Sequence, residues 1–289
     1  MKLKVENNKE KWDLLIEPKA HLLQLNLLEI WRYKYLLWMF VKRDLVSVYK
    51  QTILGPLWYF IQPILTTITY VVVFGNIAKI STDGLPRILF YLSGITIWNY
   101  FAETLNYTSN TFISNAGIFG KVYFPRLIMP LTRIFSGLIK FAIQLALFLI
   151  VLAYYYINGS AVHPDLLGTI IVTPIILFIM AGIGLGLGLI LSSLTTKYRD
   201  LSFLISFGIQ LGMYATPVIY PMSTISSKYK FLIGANPMSW LVEAFRKVYL
   251  GTGDLQWGGL LYSFSLMIVL LVFGIIIFNK VEKTFIDTV

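Results

Sequence analysis

The chain has 289 residues, 57% of them hydrophobic and only 13% charged, and a mean hydropathy of +0.71. That balance is outside the range of soluble globular domains and places the chain in a membrane. The absence of cysteine excludes a disulfide framework, a thiolate nucleophile and a Cys-ligated metal. The net charge of +10 is carried by the N-terminal tail and short loops, so it reads as membrane topology and not as a nucleic-acid surface.

In chain order, residues 1–20 read as a polar, retained cytoplasmic tail, since a cleaved signal peptide needs a continuous apolar core. Residues 21–40 place Leu28, Trp31, Tyr35, Trp38 and Met39 at helical spacing, interrupted by Glu29, Arg32 and Lys34. This mixture suits a helix lying in the headgroup layer. A helix packed within a soluble domain is the alternative. Lys42, Arg43, Asp44 and Lys50 follow, and from Gln51 to Ala78 the only ionisable side chains are Tyr59 and Tyr70. The chain therefore passes from a basic surface into hydrocarbon over about one helical turn.

Six spans are expected. The first, about Leu54 to Ala78, carries Pro56 at its entrance and Pro63 deeper, where a bend or a freed carbonyl is expected. The second, about Ile88 to Ile113, holds Trp98, Tyr100, Phe101, Glu103 and Tyr107, and a charged loop follows it. The third, about Leu127 to Tyr156, carries Arg133 and Lys140. The fourth, about Leu166 to Leu194, has glycine at 182, 184, 186 and 188, a pattern for close helix packing. The fifth runs from about Leu201 to Thr216 and stops at TPVIYP; the sixth runs from about Leu255 to Phe278. Between them, 217–250 is too polar, and too broken by Pro217, Pro221 and Pro237, to cross. Short re-entrant helices at one face are expected there.

Basic residues crowd the first 50 positions, 113–133, 195–200 and the C-terminus, whereas 156–166 has none. The positive-inside rule then puts both termini in the cytoplasm. The fold class expected is an all-α membrane protein, with residues 1–50 as tail and interfacial helix and 51–289 as one six-span domain.

Little here suggests chemistry. A nucleotide loop needs GxxxxGK[ST], but Asn115 stands five before Gly120 and Val122 follows Lys121. The two histidines, His21 and His163, lie far apart. Glu103 is either a proton carrier or a carboxyl satisfied by Asn99, Asn106 or Tyr107. With one acid in the spans, self-powered transport has little support and force must come from a partner. The loop 113–130 combines Asn115, Ala116, Gly117 and Gly120 with Ile118, Phe119, Val122, Tyr123 and Phe124, flanked by Lys121 and Arg126. Either a short helix offers these knobs to another protein, or the loop only anchors the adjacent spans.

SNAGIFGKVYFPRLIMPL resembles the cytoplasmic loop of ABC-2 type exporter permeases, especially those of O-antigen and other surface polysaccharides. RDLVSVYKQTILGPLWYFIQPILTTITYVVVFG, YLSGITIWNYFAETL and ANPMSWLVEAFR are similar to the same group, so the likeness extends from about residue 30 to the end. It implies a homodimer in the inner membrane, joined to two copies of a cytoplasmic ABC ATPase that binds the ATP and Mg, with no cofactor on this chain. It also implies ATPase contacts at Arg43, Asp44, Gly117, Ile118, Phe119, Lys121, Val122, Tyr123, Phe124 and Arg126. An outer gate is implied in 217–250, at Pro217, Tyr220, Pro221, Pro237, Trp240 and Glu243.

A lipid-linked polysaccharide presents hydroxyl edges and apolar ring faces. Trp58, Tyr59, Phe60, Trp98, Tyr100, Glu103 and Tyr107 are the matching path candidates, with interfacial belt or core packing as the alternative. Teichoic acid, capsule, a lipid or a drug are alternative cargoes. A membrane glycosyl- or acyltransferase using Glu103, Asp200 or Glu243, or a scaffold without transport, are alternative functions.

Overall fold

The computed structural model describes residues 27–50, 53–253 and 255–285, and no strand occurs among the described residues. The expected tail, and the start of the expected interfacial helix with His21, lie outside them. The part described is α1 (Leu27–Arg32) and α2 (Lys34–Lys50), so helix continues past Phe40 to Lys50, within the 1–50 segment expected to hold the interfacial helix. Leu28, Trp31, Tyr35, Trp38 and Met39 are all exposed, while Phe40 and Val41 are buried on the inward side. Lys34 Nζ lies 4.9 Å from the Trp31 ring and 5.3 Å from that of Tyr35. An exposed aromatic row with lysine beside it is the surface an interfacial helix needs.

Among the described residues, four helical stretches are long and apolar enough to cross a bilayer, all near their expected bounds. The first is Gly55–Ile77, made of a 3-10 turn, α3 (Trp58–Tyr70) and a wider π-helical end at Val71–Ile77. The others are α6 (Ile128–Ile157), α7 (Leu166–Lys197) and α11 (Trp257–Phe285). α3 continues through Pro63, and its ladder widens only later, where Ala78 N–H donates to Val73 O at 2.9 Å. Gly75 lies in that widened turn. A Cβ there would stand 2.8 Å from Arg87 Cδ, so glycine lets Arg87 reach across to Asn76 Oδ1.

The other two expected spans differ. α4 (Arg87–Ser109) is long enough, about 35 Å at helical rise, but too polar to be recognised by hydropathy. It is surrounded by protein: α3, α6, α7, α8 and α10 all pack on it. Several of its hydroxyls are satisfied within the helix, as with Thr96 Oγ1 donating to Leu92 O and Thr104 Oγ1 to Tyr100 O, both 2.8 Å. α4 also ends earlier than expected. Asn110 breaks it, and α5 (Thr111–Phe119) begins at once.

α8 (Leu201–Tyr214) is only 14 residues, about 21 Å, and falls short of the roughly 30 Å hydrocarbon layer. The segment after it folds back into the protein, with Thr216, Val218 and Ile219 buried. Of the two short helices beyond, α9 (Ser227–Gly234) buries nothing, whereas α10 (Pro237–Leu250) is wedged against α4, α7 and α11. Asn236 caps α10, accepting from Met238 N–H at 3.0 Å, with Pro237 at its first position and left-handed Gly251 (φ +80°) ending it.

The glycines of α7 work as two rows. Gly182 and Gly186 face α11, where a Cβ on Gly186 would meet the Leu270 carbonyl carbon at 2.7 Å. Gly184 and Gly188 face α4, where Thr104 and Thr108 would be struck at 2.9 and 2.4 Å. Two neighbours thus press against one helix on opposite sides, a packing that only small residues allow.

Candidate functional site

α4 and α6 run antiparallel, and polar side chains meet along their contact. On α6 the polar positions are Arg133, Lys140 and Gln144, seven and then four residues apart, so they share one face. On α4 the matching positions are Tyr107, Glu103 and Asn99, four apart in the opposite direction. Lys140 Nζ lies 3.1 Å from Glu103 Oε2, and Asn99 Nδ2 donates to Gln144 Oε1 at 3.4 Å. Tyr107 stands between the two cations, 4.5 Å from Arg133 and 5.5 Å from Lys140, and the Tyr59 ring of α3 is also 5.5 Å from Lys140.

Ionised groups at this depth are tolerated only when paired, and Glu103 and Lys140 satisfy each other. The glutamate side chain is 38% exposed, so the column is open along one edge. α8 borders the same edge of α4, through Ser206 Oγ donating to Asn106 Oδ1 at 3.2 Å. The column offers hydrogen-bonding groups and aromatic faces. No cluster of three or more His, Cys, Asp or Glu occurs among the described residues.

The expected path residues separate into two groups. Tyr59, Glu103 and Tyr107 lie on the column, with Tyr107 exposed, while Trp58 and Phe60 are the neighbours of Tyr59 on α3, the first exposed and the second half-buried. Trp98 and Tyr100 belong to the subunit core. Trp98 packs on Phe101 and against Gly212, and Tyr100 packs on Phe141 and against Gly137.

At the Arg133 end of the column, Arg133 Nη1 lies 2.9 Å from Asp44 Oδ2 on α2, and Asp44 also pairs with Arg43 at 2.9 Å. The loop after α5 lies beside this contact. Among its expected outward knobs, Phe119 and Phe124 turn inward, and Arg126 is buried with its guanidinium 5.7 Å from the Phe119 ring. A line of aromatic contacts runs from Phe40 of α2 to Phe124, Phe119, Phe112 and finally Phe278 of α11, at 5.8, 5.7, 6.0 and 4.8 Å. Gly117, Lys121, Val122 and Tyr123 remain exposed, and Ile118 is half-buried. The loop is therefore an apolar clasp with an outward tip, in place of a row of free knobs.

At the opposite end, Arg246 of α10 is almost wholly buried. It donates to Pro217 O at 2.5 Å and Val218 O at 2.6 Å, lies 3.6 Å from Glu243 Oε1, and stacks 3.8 Å from the Phe90 ring of α4. One guanidinium thus ties the fold-back after α8 to both α10 and α4. Pro217 and Pro221 are buried in this fold-back, Pro237 begins α10, and Tyr220 Oη donates to Tyr214 O at 3.0 Å. Trp240 Nε1 donates to Gly234 O at 2.8 Å, holding α9 against α10.

Residues 35–250 match the family model for ABC-2 type transporters. The chain belongs to the ABC-2 type transporter family. Its relatives include the O-antigen export system permease protein RfbA of Klebsiella pneumoniae, 28% identical over 251 residues, covering 86% of this chain and 93% of that one. The RfbA of Myxococcus xanthus is also 28% identical, over 223 residues, covering 76% and 82%.

Inspection of the sequence missed four residues of this ABC-2 chain that hold its site together: Arg133 as the partner of Asp44, Lys140 as the partner of Glu103, Gln144 opposite Asn99, and Arg246. A signal for three of them exists. Polar residues at 133, 140 and 144 share one face of α6, and α4 carries a matching row at 99, 103 and 107. Arg246 lies three residues after Glu243, a spacing that brings the two together on a helix.

Proposed function

We propose that the chain is the membrane-spanning permease subunit of an ATP-driven exporter that moves a lipid-linked O-antigen or similar polysaccharide outward across the cytoplasmic membrane. Two copies would enclose the path, and two copies of a separate ABC ATPase would supply force from the cytoplasm. Six crossings are proposed: the Gly55–Ile77 stretch, α4, α6, α7, α8 with its fold-back, and α11, with both termini inside. The distribution of lysine and arginine supports this orientation.

The observation that carries the reading is the polar column itself. Glu103, Lys140, Tyr107 and Tyr59 form a hydrogen-bonding, aromatic-flanked edge on membrane helices, open along one side. A glycan needs that combination of ring faces and polar edges. Asp44–Arg133 joins the column to α2, and the exposed tip at Lys121, Val122 and Tyr123 supplies a cytoplasmic contact for the partner.

Deletion of the chain tests the reading. Lipid-linked glycan should then accumulate inside the cell, and expression of the intact chain together with its ATPase should return it to the surface. Normal surface glycan in the deletion strain would overturn the proposal.

A further inference from the structure

We infer that the outer end of the fold carries a second, separate site for one sugar ring, built around Trp240. This inference rests on the export reading and adds a site away from the column. Two neighbouring cavities share Trp240 and Lys230 as walls. One, of about 240 Å³, is the more polar of the two and is bordered by Asp83, Ser223, Glu243 and Gln256. The other, of about 430 Å³, is mostly apolar and bordered by Phe231, Gly258 and Tyr262.

The polar groups are held in place before any ligand arrives. Ser223 Oγ contacts both Asp83 carboxylate oxygens, at 2.9 and 2.7 Å. Glu243 Oε1 accepts from Met222 N–H at 3.3 Å. A carboxylate has about four lone-pair directions, so one hydroxyl leaves Asp83 with acceptor capacity toward the cavity. Gly253 keeps Glu243 accessible from that side, since a Cβ there would stand 2.7 Å from Glu243 Oε2.

Trp240 is fixed as well. Its Nε1 donates to Gly234 O, and Gly259 lies so close to its ring that a Cβ would be 2.4 Å from Cδ2. At Gly258 a Cβ would meet nothing within 4 Å, so the apolar cavity is open on that side.

The charges select the ligand. Lys230 shares the polar cavity with the two carboxylates, and Arg246 lies 3.6 Å from Glu243, so the site has no net demand for a cation. A neutral polyhydroxyl ring meets both halves of the arrangement. Its hydroxyls would reach Asp83, Glu243 and Gln256 while its apolar face lies on Trp240, and the next ring would continue over Tyr262. Such a site would hold the emerging end of the glycan and oppose backsliding.

The test places the photo-crosslinking residue p-benzoylphenylalanine at position 256, in the full permease–ATPase complex of exporting cells. The same residue at Tyr107 reports on the column, and at lipid-exposed Ile171 it serves as the control. Glycan on the purified permease is detected by periodate oxidation and hydrazide labelling, which reports any glycan carrying vicinal diols, and by the accompanying shift in mass. The expected result is a glycan adduct at 256 and at 107 but not at 171, with the adduct at 256 alone reduced about tenfold by Asp83→Asn.

An adduct at 107 without one at 256 would overturn the outer site and leave the export reading standing. So would a phospholipid adduct at 256, or a glycan adduct there that Asp83→Asn does not diminish. No glycan adduct at any position, together with normal surface glycan in the deletion strain, would defeat the export reading itself and the inference with it.

Discussion

Arg133 of α6 reaches two elements at once: its Nη1 lies 2.9 Å from Asp44 Oδ2 on α2, and its guanidinium lies 4.5 Å from the Tyr107 ring of α4. In the proposed mechanism, a shift of α2 would reach the first aromatic residue of the polar column through this contact, without passing through a loop. A chain that borrows its force needs a connection of this kind.

The pair gives a direct prediction. Asp44→Asn and Arg133→Gln should each lower glycan export by tenfold or more while the complex with the ATPase still assembles. The charge-swapped double variant, Asp44→Arg with Arg133→Asp, should recover part of the loss. Surface glycan and co-purification of the ATPase are the measurements, and full export by either single variant would show that the contact transmits nothing.

Glu103 and Lys140 should behave as a unit. Removing one partner leaves the other charged in a largely apolar setting, at a cost of about 2–4 kcal/mol given the glutamate's partial exposure. Glu103→Gln or Lys140→Met should therefore lower the thermal midpoint of the detergent-purified protein by several degrees. The double variant should be closer to wild type in stability yet still deficient in export. Because the carboxylate is held in an ion pair, export should also be insensitive to collapse of the proton gradient when ATP is maintained.

Arg246 is expected to tolerate no conservative replacement. Lysine lacks the planar fork that reaches Pro217 O and Val218 O together. Arg246→Lys should destabilise the fold by about 3 kcal/mol or more, read as lost resistance to proteolysis in the 215–236 segment. An unchanged cleavage pattern would mean that the fold-back is held by other contacts.

The glycine rows of α7 supply a packing test with an internal control. Gly186→Ala places a methyl 2.7 Å from the Leu270 carbonyl carbon and should cost about 1–3 kcal/mol. Gly208→Ala on α8, where nothing lies within 4 Å, should be neutral or slightly stabilising.

Much of this fold was legible because hydrocarbon imposes length and apolarity locally. The start of α7 at Leu166 follows from Asp165, the last charge before a long apolar run, and α6 keeps within a residue of its expected bounds although it carries Arg133 and Lys140. The paired glycines of α7 announce close packing by their spacing alone. α4 was recognisable as a span only through its pattern of aromatic residues, because a helix wrapped by other helices need not be apolar toward lipid. α8 was read as a full crossing although its 14 residues were countable; the fold-back that completes it depends on Arg246, a contact 28 residues away.

The site was harder to read, for the same physical reason. Glu103 meets Lys140 across 37 positions, and only the register between α4 and α6 reveals it. Phe119 and Phe124 look like knobs for a partner because apolar residues in a loop between spans have two possible destinations. Here they close on Phe40 and Phe112, leaving Lys121, Val122 and Tyr123 outside.

The central claim is that this chain is a conduit driven from its inner face by a separate ATPase, and reconstitution tests it most directly. Purified permease would be placed in proteoliposomes loaded with its lipid-linked glycan, with and without the partner, and glycan crossing measured by accessibility to an external glycosidase. The account predicts crossing only when ATPase and ATP are both present, and a loss of coupling in Tyr123→Ala and Lys121→Glu permeases that remain folded. Crossing by the permease alone at the full rate would contradict it.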